Sequence, residues 1–510
     1  MIWKIARKEF LLNLMTFKFA VGTILCVVLI AVFVPVLADD YQQRLQRYSQ
    51  QVSDNETRLR QVKTYRVLTP TVYRRPQVLS VFSQGLEKRL GDSARIDFGV
   101  IPEINAGPAE VNPYLSVFPG FDVMLIFKIV MSALALLVAY DAVSGEKEQG
   151  TLGLTLSNRV PRAHILLGKL VAGALTLAVP TTVAFIVGLL LLLGFPSIDL
   201  QASDWARVGV MYVASLAFVL AMYNIGILFS CLTRSSALAL VLGLFFWVLA
   251  IVVIPNGSVY LARRIQTIET AEARDEQISL LEMQFKEERL TEFNKLPRGG
   301  IESDTEGPFD AYGPMGGTFY YYASICTPAG AESWKKRIQM ETSLKTKYAQ
   351  KIWEAERDYV RGLARQTDLA KNIGRISPMC LYDNTMSALA GTTLSDFQSW
   401  AQTARTYRDS LTAYIHGKTD NLRSVSYFTQ STDAERVEFE KGPDELRREL
   451  ANRIRQREMP LNLEDLPRFV HSTGVMQGLH RAAPDLLLLV VFNLVFYSLS
   501  FAAFQKYDVR

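Results

Sequence analysis

Apolar runs too long for the core of a soluble domain dominate the pattern along this chain. A helix rises about 1.5 Å per residue, so roughly twenty mostly apolar residues cross a hydrocarbon layer about 30 Å thick. Residues 19–38, 121–140, 163–195, 208–230, 237–255 and 484–504 reach or approach that length, with few charges inside them, Lys128, Lys169 and Asp485 among these. The competing reading is a set of long buried helices in a soluble protein. Runs such as residues 186–194, IVGLLLLLG, show no polar stripe, as expected when every face meets lipid or another span. The pattern predicts a polytopic α-helical membrane protein with six transmembrane helices.

Lysine and arginine in short connections resist translocation and so set orientation. The segment 1–18 carries Lys4, Arg7, Lys8 and Lys18, and the connection 141–162 carries Lys147, Arg159 and Arg162. Arg234 follows the fourth span, and the tail 505–510 has Lys506 and Arg510. The short connection on the other face, 196–205, has Asp199 and Asp204 and no basic residue. Both termini are therefore expected in the cytoplasm, with the long connections 39–120 and 256–483 facing outward. Residues 1–18 alternate apolar and basic positions like a helix lying along the inner leaflet. Val36-Leu37-Ala38 before Asp39-Asp40 has the look of a cleavage site. The apolar run before it exceeds the usual 7 to 15 residues of a signal peptide, so the first span is expected to be retained.

The first outer region opens with Tyr41, Leu45, Tyr48, Val52, Asn55, Leu59 and Val62, a heptad seam that continues the first span as one helix. A coiled-coil partner and packing on the chain's own domain both fit it. After Thr69-Pro70 the β-branched and aromatic content rises, and residues 105–119 are loop-like. The second outer region is helix-rich, with helices expected over about 261–296 and 334–364 and a Gly/Pro-rich loop at 297–317. A third begins at Ser395, capped with Gln398 at the capping-box spacing, and presents Phe397, Trp400, Ala401, Ala404, Tyr407, Leu411 and Tyr414 on one face. The aromatic run 319–322 fits a core strand or a substrate groove.

The 510 residues carry a net charge of only +5, with four scattered histidines and four cysteines, which implies no nucleic-acid face and no metal cluster. Cys26 and Cys231 lie in or beside apolar runs. Cys326 and Cys380 both fall in the second outer region, where an oxidising compartment would allow a bridge. Lys128, inside the second span, either snorkels to the headgroups or faces a cavity. Tyr140, Tyr212, Tyr223, Asn224, Asn493 and Tyr497 are the other candidates for lining a translocation path. Spans with so few ionisable groups suit a lipid-like, peptide or drug-like cargo better than a small ion.

The connection 141–162, DAVSGEKEQGTLGLTLSNRVPR, is longer than a turn needs. Ser144 or Gly145 starts a helix whose first turn holds Glu146 and Glu148, Gly150 interrupts it, and Thr151, Leu152, Leu154 and Leu156 follow as a short, leucine-faced piece. Asn158 ends that piece and Pro161 suits the first turn of the next span. Such a segment fits a docking groove on a cytoplasmic motor, or an interfacial helix that only anchors the loop.

The run from Tyr140 to Leu152, with Pro161-Arg162 and Leu167-Gly168-Lys169, resembles the signature loop of ABC-2 type permeases. Ile376-Ser377-Pro378, residues 388–392 (ALAGT) and Tyr407-Arg408 resemble the subgroup with two large extracytoplasmic regions. The resemblance implies a multi-pass protein of the bacterial inner membrane with an amphipathic elbow helix at 1–18 and a coupling helix at 146–156. It also implies two ATPase subunits and a second permease copy or a paralogue. No G-x-x-x-x-G-K-[ST] sequence is present, so ATP and Mg²⁺ are expected on the partner subunit and no catalytic residue on this chain. An ATP-driven exporter is the leading reading. The alternative is a transmitter that drives envelope partners without moving a substrate, in which case the space between the spans should be packed shut and the outer helices stiff.

Overall fold

The computed structural model describes residues 2–98, 103–105, 122–157, 161–296, 328–422, 427, 430, 432, 434–435, 437–438, 444–457, 459–471 and 474–506. Among them, six helices are long and apolar enough to cross a membrane, one on each apolar stretch. A short helix α1 (Ile2–Leu14) precedes α2 (Phe17–Arg60), whose first turn is capped by Thr16, the hydroxyl accepting from the Phe19 N–H. The second span is α3 (residues 123–139), with a π-helical turn at Phe127–Met131. Two short helices follow, α4 (Ser144–Glu148) and α5 (Thr151–Ser157). The spans α6 (Arg162–Leu193), α7 (Ala202–Leu232) and α8 (Ser236–Ile265) come next, the last with a π turn at Leu249–Val253. Pro161 caps α6 from just outside, one position earlier than the sequence suggests.

The spans α3 and α7 form the centre of the bundle, while α2 and α8 lie at its margin. Val28, Val32, Ile186, Leu190, Val241 and Phe245 stand exposed on the outside. An apolar surface this extensive is unfavourable in water and matches hydrocarbon. Hydroxyls inside the spans bond back to their own helix, as Thr176 to the Ala172 carbonyl (2.8 Å) and Thr181 to that of Leu177 (2.8 Å), which satisfies these donors in the apolar layer.

At 44 residues, α2 is about 66 Å long, twice what a bilayer needs. Its seam faces the chain itself. Tyr41 and Leu45 join the core of the span bundle, Leu59 and Val62 join a second core beyond the spans, and Asn55 exchanges two hydrogen bonds with the Thr71 backbone (3.1 and 3.2 Å). That second core also takes up Val72 and Ala94 from a small antiparallel sheet, in the order β1 (Thr71–Tyr73), β2 (Ser93–Arg95), β3 (Glu103–Asn105).

The helix expected over 261–296 is two: α8 ends at Ile265, and α9 (Ala271–Lys295) restarts where Thr270 accepts from the Ala273 N–H. Helix α10 (Pro328–Gly374) has 47 residues, longer than expected at both ends. It leads into α11 (Pro378–Ala390) and then α12 (Leu394–Lys418). The cap of α12 is Thr393 rather than Ser395, because Asp396 supplies the reciprocal acceptor for the Thr393 N–H (3.1 Å), and a carboxylate suits a helix N-terminus better than the Gln398 amide. Trp400, Ala404, Tyr407 and Leu411 are buried in the second core as the spacing predicts. After α13 (Asp444–Arg457) the last span, α14 (Val475–Gln505), returns through the bundle. The expected loop at 297–317 and the aromatic run 319–322 lie outside the described residues.

The unforeseen element is α11, which packs on α7 and α14. Tyr382, fully buried, stacks on Phe218 (4.6 Å between centroids, 8° between planes) and shares a hydrogen bond with Ser215 (2.9 Å). Ser377 donates to the Ala250 carbonyl in the π turn of α8 (2.8 Å), and Arg375 pairs with Asp485 of α14 (2.7 Å). Lys128 pairs with Asp383 of α11. Replacing Tyr382 by Ala removes the stack and leaves a void, which should cost about 3 kcal/mol. Limited proteolysis should then cut between α10 and α12 under conditions where the parent protein is intact.

Candidate coupling site

One end of the bundle gathers α1, the connection after α3, the turn between α7 and α8, and the end of α14, where Arg162 donates to the Gln505 carbonyl (2.6 Å). The short helix α4 is fixed here by hydrogen bonds from several elements. The N–H groups of Val143 and Ser144 donate to Ser230 Oγ (3.0 and 2.9 Å), and Ser144 Oγ donates to the Tyr140 carbonyl (2.7 Å). Lys147 reaches the last carbonyls of α7, those of Cys231 (2.5 Å), Thr233 (2.9 Å) and Ser230 (3.3 Å). A cation there satisfies acceptors that the helix cannot and sits at the negative end of its dipole. Ser236 donates to Glu148 Oε2 (2.7 Å), tying the start of α8 to the same piece.

Two ion pairs bind this platform to its neighbours. Lys18, at the start of α2, pairs with Asp141 (2.6 Å) and lies over the Tyr140 ring (4.6 Å to its centroid). Lys169 of α6, with only 3% of its side chain exposed, pairs with Glu146 (2.7 Å) and with Glu9 of α1 (3.2 Å). A buried ammonium is tolerable only when so partnered.

Gly150 separates α4 from α5 with φ +70°, a left-handed conformation that glycine adopts without strain, and a Cβ there would meet nothing within 4 Å. The break is thus conformational, and α5 starts beyond it as a separate helix. Glu148, Gly150 and Thr151 are exposed. Glu146 instead turns inward to Lys169, and Leu152 is fully buried in the bundle core, so it anchors α5 and is not the surface knob that the leucine spacing suggested. The side chains of Leu154 and Leu156 lie outside the described residues.

The residues expected to line a path are distributed over separate helix contacts. Tyr212 shares a hydrogen bond with Thr182 (2.8 Å). Tyr223 is buried, donates to the Lys169 carbonyl (2.9 Å) and lies against Gly173, where a Cβ would come within 2.0 Å of the ring. Asn224 donates to Asn493 (2.9 Å), which donates to the Ala217 and Leu489 carbonyls (both 2.9 Å). Tyr497 is half-buried against the bundle core. Within the described residues of one chain these groups join neighbouring helices. Cys380 is a free thiol, and Cys326, the other end of the candidate bridge, lies outside the described residues.

Sequence reasoning did not single out Glu9, Ser230 or Ser236. The available signal was Lys169, since a lysine inside an apolar span requires carboxylates from neighbouring elements. Replacing Lys147 by Met should release the end of α7. Hydrogen bonds from a charged donor are worth about 1.5–3 kcal/mol, so alkylation of the buried Cys231, measured with the other cysteines replaced, should accelerate roughly tenfold or more.

A segment of 56 residues, 11% of the chain, is 46% identical to the "Probable ABC transporter permease protein NosY" of Pseudomonas aeruginosa and covers 20% of that protein. The counterpart of the same name from Stutzerimonas stutzeri is 48% identical over 56 residues, with the same coverage. The chain thus matches about a fifth of the length of these curated relatives. A family model described as "ABC-2 family transporter protein" matches residues 3–509, essentially the whole chain. The chain is therefore a multi-pass membrane protein of the ABC-2 transporter family, the membrane-spanning class of ABC transporter subunit.

Proposed function

We propose that this chain is the permease subunit of an ATP-driven exporter in the bacterial inner membrane, working with a separate ABC ATPase that binds ATP and Mg²⁺. The observation that carries this reading is the platform around α4. A short helix is bonded to the spans on either side of it, and beyond Gly150 a second short helix follows, anchored to the bundle core by Leu152. Force applied to α5 would reach α2, α6, α7 and α8 at once. The end bearing this platform faces the cytoplasm, consistent with its lysines and arginines, and α1 lies along the inner leaflet. Its Trp3, Leu11 and Leu12 are exposed beside Lys4, Arg7 and Lys8. Two permease copies, identical or paralogous, and two ATPase copies complete the transporter, and the cargo passes between the permeases.

Glu148 is the exposed carboxylate of the platform. Glu148→Lys should abolish stimulation of ATP hydrolysis by the co-encoded ATPase while membrane insertion proceeds. Full stimulation in that variant contradicts the docking site.

A second reading, transmission of force to envelope partners without transport, is favoured by three observations. Helix α2 runs unbroken from one end of the bundle into the second core, α10 leads directly into α11, and the polar groups of the spans are packed together. Reconstitution in vesicles with the ATPase separates the two. ATP-dependent transfer of a lipid or peptide fraction across the bilayer supports export. Movement of spin labels on α2 and α10 with ATP, without any transfer, supports transmission.

A further inference from the structure

Lys169 holds two carboxylates where one would neutralise it. Glu146 stands 23 positions away on α4, and Glu9 stands 160 positions away on α1. Burial of a single ammonium requires one partner; the second adds nothing to the neutralisation and brings in a third element. The preceding residue shows how α1 comes so near. At Gly168 a Cβ would lie 2.8 Å from the Ile5 side chain and 3.4 Å from the Ile2 carbonyl oxygen, so only glycine lets α1 lie against α6 at this level. Farther along the same contact, Asn13 donates to Thr176 (3.5 Å). The pair Gly168-Lys169 therefore combines a close approach with a charge that locks it.

We propose that Lys169 is a positioning residue that makes α1 follow α4, so that motion imposed on the loop is delivered to α1 and, through the two-residue turn after it, to α2. The proposal rests on the reading of α4 and α5 as the ATPase docking segment. Five charged side chains meet at this end of the bundle: Lys169 pairs with Glu9 and Glu146, and Lys18 pairs with Asp141. Glu9 has no other ion pair among the described residues, so neutralising it frees α1 while the pair between Lys169 and Glu146 stays intact. Glu9→Gln is thus a milder variant than Lys169→Met, which strips both carboxylates of their partner.

The experiment uses the full complex with the co-encoded ATPase in lipid nanodiscs, all four native cysteines replaced, and spin labels at Lys8→Cys and Thr151→Cys. Three quantities are read: the distance between the labels with and without an ATP analogue, ATPase affinity, and stimulated hydrolysis. In the parent the distance should hold constant as α1 follows the loop. In Glu9→Gln and Lys169→Met it should change with nucleotide, and stimulation should fall at least about fivefold, the lower bound of typical coupling between sites. ATPase affinity in Glu9→Gln should match the parent, and Lys169→Arg should restore stimulation. Parental distances and rates in both Glu9→Gln and Lys169→Met overturn the proposal, as does loss of ATPase affinity in Glu9→Gln, which would place Glu9 at the docking surface itself. If Glu148→Lys leaves ATPase binding and stimulation untouched, the docking reading has failed, an outcome distinct from failure of the lock.

Discussion

Hydrocarbon does not tolerate an unpaired charge, and this constraint organises the molecule. Among the described residues, ion pairs near the two ends of the bundle join elements distant in sequence. At one end Lys128 meets Asp383, Arg375 meets Asp485, and Arg481 meets Asp396. At the other end Lys169 meets Glu9 and Glu146, and Lys18 meets Asp141. Between them the contacts are apolar or neutral, such as Tyr223 against Gly173 and Asn224 with Asn493. Each ionic station joins elements that apolar packing alone would leave free to slide.

Rigid elements connect the two stations. The helix that Lys18 fixes at one end of the bundle continues as α2 to Asn55, which sets its register against the outer sheet. On the return, the 47-residue α10 hands over to α11, whose Tyr382, Asp383 and Ser377 engage α7, α3 and α8 respectively. A shift of the spans relative to one another therefore has two stiff outlets into the outer region, whether the work done is export or the driving of a partner.

Much of this was legible in the sequence. The six spans follow from hydropathy because lipid exposure demands length and apolarity and little else, and Glu146, Glu148 and Gly150 marked the loop because the dipole and the left-handed turn are local effects. Tertiary partners were not legible in this way. Lys128 looked like a snorkelling or cavity cation because Asp383 lies far along the chain, and Leu152 looked like a surface knob because spacing alone cannot say which side of a short helix is covered. The cap of α12 was misplaced by two residues since Thr393 with Asp396 and Ser395 with Gln398 carry the same spacing, and only the stronger acceptor decides between them. Helix α11 was missed because its apolar face is too short to register as a span.

The central claim is that the end of the bundle bearing α4 and α5 receives the ATPase. Hydrogen exchange on the purified permease, with and without the co-encoded ATPase, tests it most directly. The account predicts slowed exchange in residues 144–157 on binding, with none in the acidic connection 196–205 at the opposite end. Protection of 196–205, with 144–157 unchanged, would contradict it.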